Sequence, residues 1–207
     1  LALVILAVIA LALCVPKIWT TSPPGVAPPV RSSVIDLIQA WNLSRRAERQ
    51  MAAGQVDEAL HSWGAAAANN SGDPRLLRGY LRALIRSERP PAQARAVVRH
   101  SEWLLRLTKN DPADLELVAR LFEKCGLHPQ LVALLRPHEP TFSPALEASY
   151  AKALFNTRQY DAFRARLVKT GTGPPADPEI ELYRAAHIAG WGPLEGANEA
   201  QQTLTRA

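Results

Sequence analysis

Residues 47–68 read AERQMAAGQVDEALHSWGAAAA, and the inner stretch GQVDEALHSW, residues 54–63, decides how the rest is read. Small Ala47 is followed seven places on by Gly54, five further by Ala59 and four further by large Trp63, with Ala66 and Ala67 beyond. Both flanks are made of good helix formers, so the glycine marks a joint between two helices. Antiparallel helices approach closely only where the facing side chains are small, which places Ala47 and Ala59 at a crossing. Gly54 permits the left-handed turn that ends the first helix, and Trp63 fills space toward the next element.

The spacing returns. Ala47, Ala119, Ala151 and Ala185 occupy equivalent positions at steps of 72 (twice 36), 32 and 34 residues. Seven places after each stand Gly54, Gly126, Arg158 and Gly192; five further stand Ala59, Leu131, Phe163 and Ala197; then come Trp63, Leu135, Leu167 and Gln201. A second unit falls between the first and third, around RLLRGYLRALIRSERPPAQARAVVRHSEWLLRL. One helical hairpin cannot bury its own apolar face, whereas neighbours in a stack can, and this is the physical reason for a motif to recur. Between the units the chain breaks at NNSGDP, SERPP, KNDP, RPHEPTFSP and KTGTGPPADP, and no segment reads as a strand.

On these residues the chain resembles the tetratricopeptide-repeat family, with degenerate repeats of about 34 residues over roughly residues 40–204. Ala47, Gly54, Ala59, Trp63 and Ala66 or Ala67 take the small, turn, small, large and small places, and YAKALFNTRQYDAFRARL puts Tyr160 in the aromatic place after the turn. The departures are Arg158 for a turn glycine and Leu131 and Phe163 for a small residue. The resemblance implies an all-α, tetratricopeptide-like α-solenoid, a right-handed superhelix of four to five stacked helical hairpins over residues 32–207. It also implies that first helices line an inner, concave, partner-binding surface.

Residues 1–15, LALVILAVIALALCV, are all apolar and are followed by Pro16, Lys17 and Trp19. Fifteen helical residues span about 22 Å, short of a hydrocarbon core of about 30 Å, so either missing upstream residues or Ile18 and Trp19 are read as completing the crossing of a transmembrane helix over residues 1–19. A signal-peptide core is the rival reading, but no good small-x-small cleavage site lies nearby, so the segment is read as an anchor or an uncleaved signal. Four prolines in TTSPPGVAPPV make residues 20–31 an extended, semi-stiff linker. A proline-rich spacer after one N-terminal helix points to a bacterial inner membrane with the repeats on the periplasmic side, while cytoplasmic facing stays open.

With 47% apolar residues the chain has material for a sizeable core. Two cysteines, Cys14 and Cys125, make no disulfide framework, and the five histidines show no HxxxH or HExxH spacing, so neither metal nor cofactor is assigned. Phosphate loops, GxGxxG and nucleophile elbows are missing from the sequence, and no catalytic residue is assigned. His61 beside Ser62 and His100 beside Ser101 do not suggest a nucleophile and its base, because neighbours on a helix point in different directions.

One feature stands out. Arg75, Arg78, Arg82, Arg86 and Arg89 are separated by 3, 4, 4 and 3 residues, one face of a helix, with Leu77, Tyr80, Leu81 and Leu84 opposite. Residues 75–109 carry nine Lys or Arg against Glu88 and Glu102, a balance of +7 in a chain of net charge +5. Basicity is concentrated there. A solvated face is the bland reading of this row; the sharp one is a clamp for the carboxylates of an acidic protein or peptide, with anionic lipid headgroups as a related option. Aromatic residues do not interleave with the arginines, which argues against nucleic acid. The expected function is therefore non-enzymatic, a membrane-anchored scaffold for protein–protein interaction. The alternative is the helical portion of a larger membrane-associated enzyme, such as a transferase, with its catalytic domain beyond Ala207.

Overall fold

In the computed structural model the described residues are 16–88, 94–169, 183 and 185. They are all-helical apart from one two-stranded ladder. β1 (Trp19–Thr20) and β2 (Arg31–Ser32) precede α1 (Val34–Ala52), α2 (Val56–Asn69), α3 (Pro74–Arg86), α4 (Ala94–Thr108) and α5 (Pro112–Lys124). Then come α6 (His128–Leu135), a 3-10 helix (Arg136–Thr141), α7 (Pro144–Asn156) and α8 (Tyr160–Lys169). The chain forms two compact units, residues 1–121 and 122–207, with the boundary inside α5.

Among the described residues, the breaks at NNSGDP, KNDP and RPHEPTFSP end in helix starts. Ser33 and Asp36 form a capping box on α1, each side chain accepting from the other's backbone N–H at 3.1 and 3.0 Å. Asp73 before Pro74 accepts from the N–H of Arg75, Asp111 before Pro112 from that of Ala113, and Ser143 before Pro144 from that of Leu146. In each, a side-chain oxygen satisfies an otherwise orphaned donor, and proline holds the first helical position, where a missing N–H costs nothing.

The joints repeat bond for bond. The N–H groups of Gly54, Gly126 and Arg158 donate to the carbonyls of Met51, Glu123 and Phe155 at 3.2, 2.9 and 2.9 Å. Those of Gln55, Leu127 and Gln159 donate to Gln50, Phe122 and Leu154 at 2.9, 2.8 and 2.9 Å. This pair of bonds is the Schellman closure of a helix, and it requires a left-handed residue; φ is +75° at Gly54, +66° at Gly126 and +60° at Arg158. The register read from Ala47, Ala119 and Ala151 thus finds the turn even where arginine replaces glycine. Gly192 lies outside the described residues.

In the first unit consecutive helices from α1 to α4 pack on one another. Ala47 and Ala59 are fully buried between α1 and α2, and the Ser62 hydroxyl donates to Gln50 across the same joint at 2.7 Å. Trp63 lies on Gly79 of α3 so closely that a Cβ there would stand 2.6 Å from the indole, while a Cβ on Gly64 would stand 3.3 Å from the ring of Tyr80. A large residue on each helix therefore enters a glycine gap on the other. Leu77, Leu81 and Leu84 of α3 are buried, as are Leu104 and Leu105 of α4 and Ala119 of α5. In the second unit α6, α7 and α8 pack in sequence, burying Leu131, Leu135, Ala151, Leu154 and Phe163; Ala185 is buried as well.

Two expectations at the N-terminus are corrected. Among the described residues no helix is long and apolar enough to cross a membrane. The transmembrane helix expected over residues 1–19 fails at its C-terminal end: Ile18 N–H turns back to the Pro16 carbonyl at 3.0 Å, and Trp19 and Thr20 pair with Ser32 and Arg31. Those backbone groups serve a ladder and are not free for helical bonds. Residues 1–15 lie outside the described residues. The linker at 20–31, expected to be extended, is instead a closed loop in which Thr21 N–H donates to the Val30 carbonyl at 2.9 Å and Val30 N–H to Ser22 Oγ at 3.1 Å. It lies against the α2–α3 turn, where a Cβ on Gly72 would meet Thr21 Oγ1 at 2.5 Å and the Ser22 nitrogen at 2.8 Å.

Candidate functional site

The arginine row on α3 is one face of one helix, but its members have different surroundings. Arg75, Arg82 and Arg86 are exposed, while Arg89 lies outside the described residues. Arg78 is engaged. Its Nε and Nη2 donate to the two carboxylate oxygens of Asp114 on α5 at 2.7 and 2.9 Å, a bidentate pair whose acid is buried and whose guanidinium is about a third exposed. Those bonds push the Arg78 pKa further up, so the charge is permanent. Arg78 is thus a tie between α3 and α5.

Beyond that tie the same two helices form a cleft. Arg82, Ile85 and Arg86 from α3 face Ala113, Glu116, Leu117 and Arg120 from α5 around a volume of about 260 Å³. Arg82, Arg86 and Arg120 are exposed, and among the described residues they make no ion pair. The floor of Ile85 and Leu117 is apolar and partly covered. Guanidinium groups over an apolar floor can bind carboxylates by paired hydrogen bonds while the floor receives aliphatic side chains. A wide opening suits a chain laid along it better than a compact molecule that needs enclosure.

Arg120 and Asp114 lie outside the arginine row that the sequence singles out. A signal for them exists: Asp114 is 36 residues from Arg78, and Arg120 is 38 from Arg82, both close to the repeat length. Laying α3 and α5 side by side as equivalent helices brings these pairs together.

Several other polar clusters hold helices together. A second hollow, about 410 Å³, is lined by Ser71, Arg99, His100, Glu102, Trp103 and Arg106. There the Trp103 indole N–H donates to the Ser71 carbonyl at 2.7 Å and the Arg106 guanidinium lies 5.6 Å from the Trp103 ring, so its main polar groups are already engaged. His100 stacks edge-on against Tyr80 at 5.3 Å, and burial pushes the Tyr80 phenol pKa up. In the second unit Arg166 is buried between two carboxylates, Glu139 and Glu147, and over the rings of Phe142 and Tyr150 at 5.6 and 5.1 Å. Tyr150 donates to Glu139 at 2.7 Å, and burial followed by that bond raises its pKa. This cluster ties α8 and α7 to the 3-10 helix. Burial also raises the Cys125 thiol, which keeps it protonated and a poor nucleophile.

Compared with family models, curated proteins and solved structures, the chain matches none.

Proposed function

We propose that the chain is a tetratricopeptide-like interaction module whose α3–α5 cleft binds an acidic segment of a partner protein. The observation that carries this reading is the convergence of Arg82, Arg86 and Arg120, none of them ion-paired among the described residues, on one cleft with an apolar floor. Three arginines outnumber Glu116, the one acid in the lining, so the cleft keeps a positive field in which an incoming carboxylate gains charge-assisted bonds. The repeated turns and buried alanines support the family reading, since they recur at its spacing. A preformed cleft loses little ordering entropy on docking, so a few arginine contacts suffice for affinity.

Arg78 is not a suitable probe, because its removal orphans the buried Asp114. The test uses Arg82→Glu and Arg120→Glu together in the full chain, with a panel of fluorescent peptides that alternate Glu or Asp with Leu. Binding should weaken at least about tenfold while the helical circular dichroism and the unfolding midpoint remain in place. Equal capture by wild type and variant would remove the cleft from the account.

A further inference from the structure

The large apolar side chains that stand exposed among the described residues are Ile18, Trp19, Ile35, Ile38 and Trp41. They are not scattered. Ile35, Ile38 and Trp41 recur at every third position of α1 and share one helix face, with Ala40 and Ala47 buried on the opposite side. The Lys17 ammonium reaches Asp36 in the first turn of α1 at 3.7 Å, and Trp19 pairs with Ser32 just before the helix, which brings Ile18 and Trp19 to the same end. Ile38 and Trp41 are 55% and 59% exposed, a large surface to leave in water on a helix that buries its other face so well.

The same face changes character along its length. After Trp41 it continues into Arg45, Arg46 and Arg49, all exposed, and the Arg45 guanidinium lies 5.7 Å from the Trp41 ring. Over residues 16–52 the basic groups are Lys17, Arg31, Arg45, Arg46 and Arg49, and the acids are Asp36 and Glu48, a balance of +3. Tryptophan and isoleucine beside a basic row is the composition of a helix lying in the headgroup layer of an anionic bilayer: rings and aliphatic groups enter the acyl boundary and guanidinium groups meet phosphates. The chain leading into this patch, residues 1–15, is an uninterrupted apolar sequence that favours hydrocarbon over water. From these juxtaposed features we infer that the exposed face of α1, with Ile18 and Trp19, rests on an anionic lipid surface. The contact lies along the surface and involves residues other than those of the α3–α5 cleft.

The test places a nitroxide at Ile38→Cys in the full chain with Cys14→Ala and Cys125→Ala. A second chain, labelled at exposed Ala65→Cys on α2, is the reference. Each is mixed with vesicles of phosphatidylcholine alone or with phosphatidylglycerol. Oxygen concentrates in the bilayer and a nickel chelate stays in water, so their relative collision rates with the label report its depth. With phosphatidylglycerol vesicles position 38 should favour oxygen severalfold more than position 65, and without vesicles both should collide freely with the nickel chelate. Failure to bind the vesicles, equal nickel access at 38 and 65 on them, or the same shielding on phosphatidylcholine alone would overturn the inference. Shielding of position 38 before any lipid is added would overturn it too, and would assign the face to another part of this chain or to a second copy.

Discussion

Arg158 and Gly126 perform the same task with different chemistry. Both hold a left-handed backbone that closes a helix, but a side chain pays for that conformation with a clash between its Cβ and the following carbonyl. Arg158→Gly should therefore raise the stability of the chain by about 0.5–1 kcal/mol, the relief of strain being partly offset by glycine's greater freedom when unfolded. Urea denaturation checks this, and an unchanged or lowered midpoint contradicts the turn geometry. Arg78 and Asp114 make a different point. Arg78→Ala leaves a buried carboxylate without its partner and should cost about 3 kcal/mol, whereas Asp114→Asn leaves a guanidinium that can turn to water and should cost about 1 kcal/mol. Equal losses for the two in urea denaturation would mean that the pair is solvated from both sides.

Between elements, complementary size governs the packing. A methyl group at Gly79 would collide with the Trp63 indole, yet alanine is a better helix former than glycine by about 1 kcal/mol. Gly79→Ala should accordingly destabilise the wild type by about 1 kcal/mol and stabilise a chain that already carries Trp63→Ala. A double-mutant cycle reads that reversal of sign, and additive effects would show that α2 and α3 yield easily. The start of α1 is governed by charge. The Ser33 backbone N–H and then its hydroxyl hold the Asp36 carboxyl below the ordinary 3.8, with Lys17 adding a smaller pull. A carboxyl lowered by folding contributes stability that is present above its ordinary pKa and lost as the pH falls through the lower, folded value. In an NMR titration Asp36 should show a midpoint below 3.8, and Ser33→Ala should move it part of the way back; an unmoved midpoint would dissolve the capping box as its cause.

At the scale of the whole chain, charge is segregated: the excess of +7 within residues 75–109 exceeds the net +5 of the full sequence. Association with an acidic peptide should weaken more than about tenfold between roughly 50 and 500 mM salt, since exposed arginines act through a field that such ionic strength screens. Isothermal titration at the two concentrations checks this, and a flat response would point to apolar contact alone. Helices, turns and their period were legible because each depends on neighbours in sequence: an aspartate before a proline caps the next helix, and a position seven places after a buried alanine turns left-handed whether it is Gly54, Gly126 or Arg158. Even the inward side of α3, through Leu77, Leu81 and Leu84, could be read from helical spacing. The sequence by itself thus determined the all-helical character, the positions of three left-handed turns and the concentration of arginines. Only tertiary structure decided which arginines remain available, because Arg78 and Arg82 stand one turn apart on the same face and differ only in what α5 brings to each. It likewise decided that residues 19–32 close into a ladder against the α2–α3 turn, since a two-residue strand has almost no local signature and owes its place to partners distant along the chain.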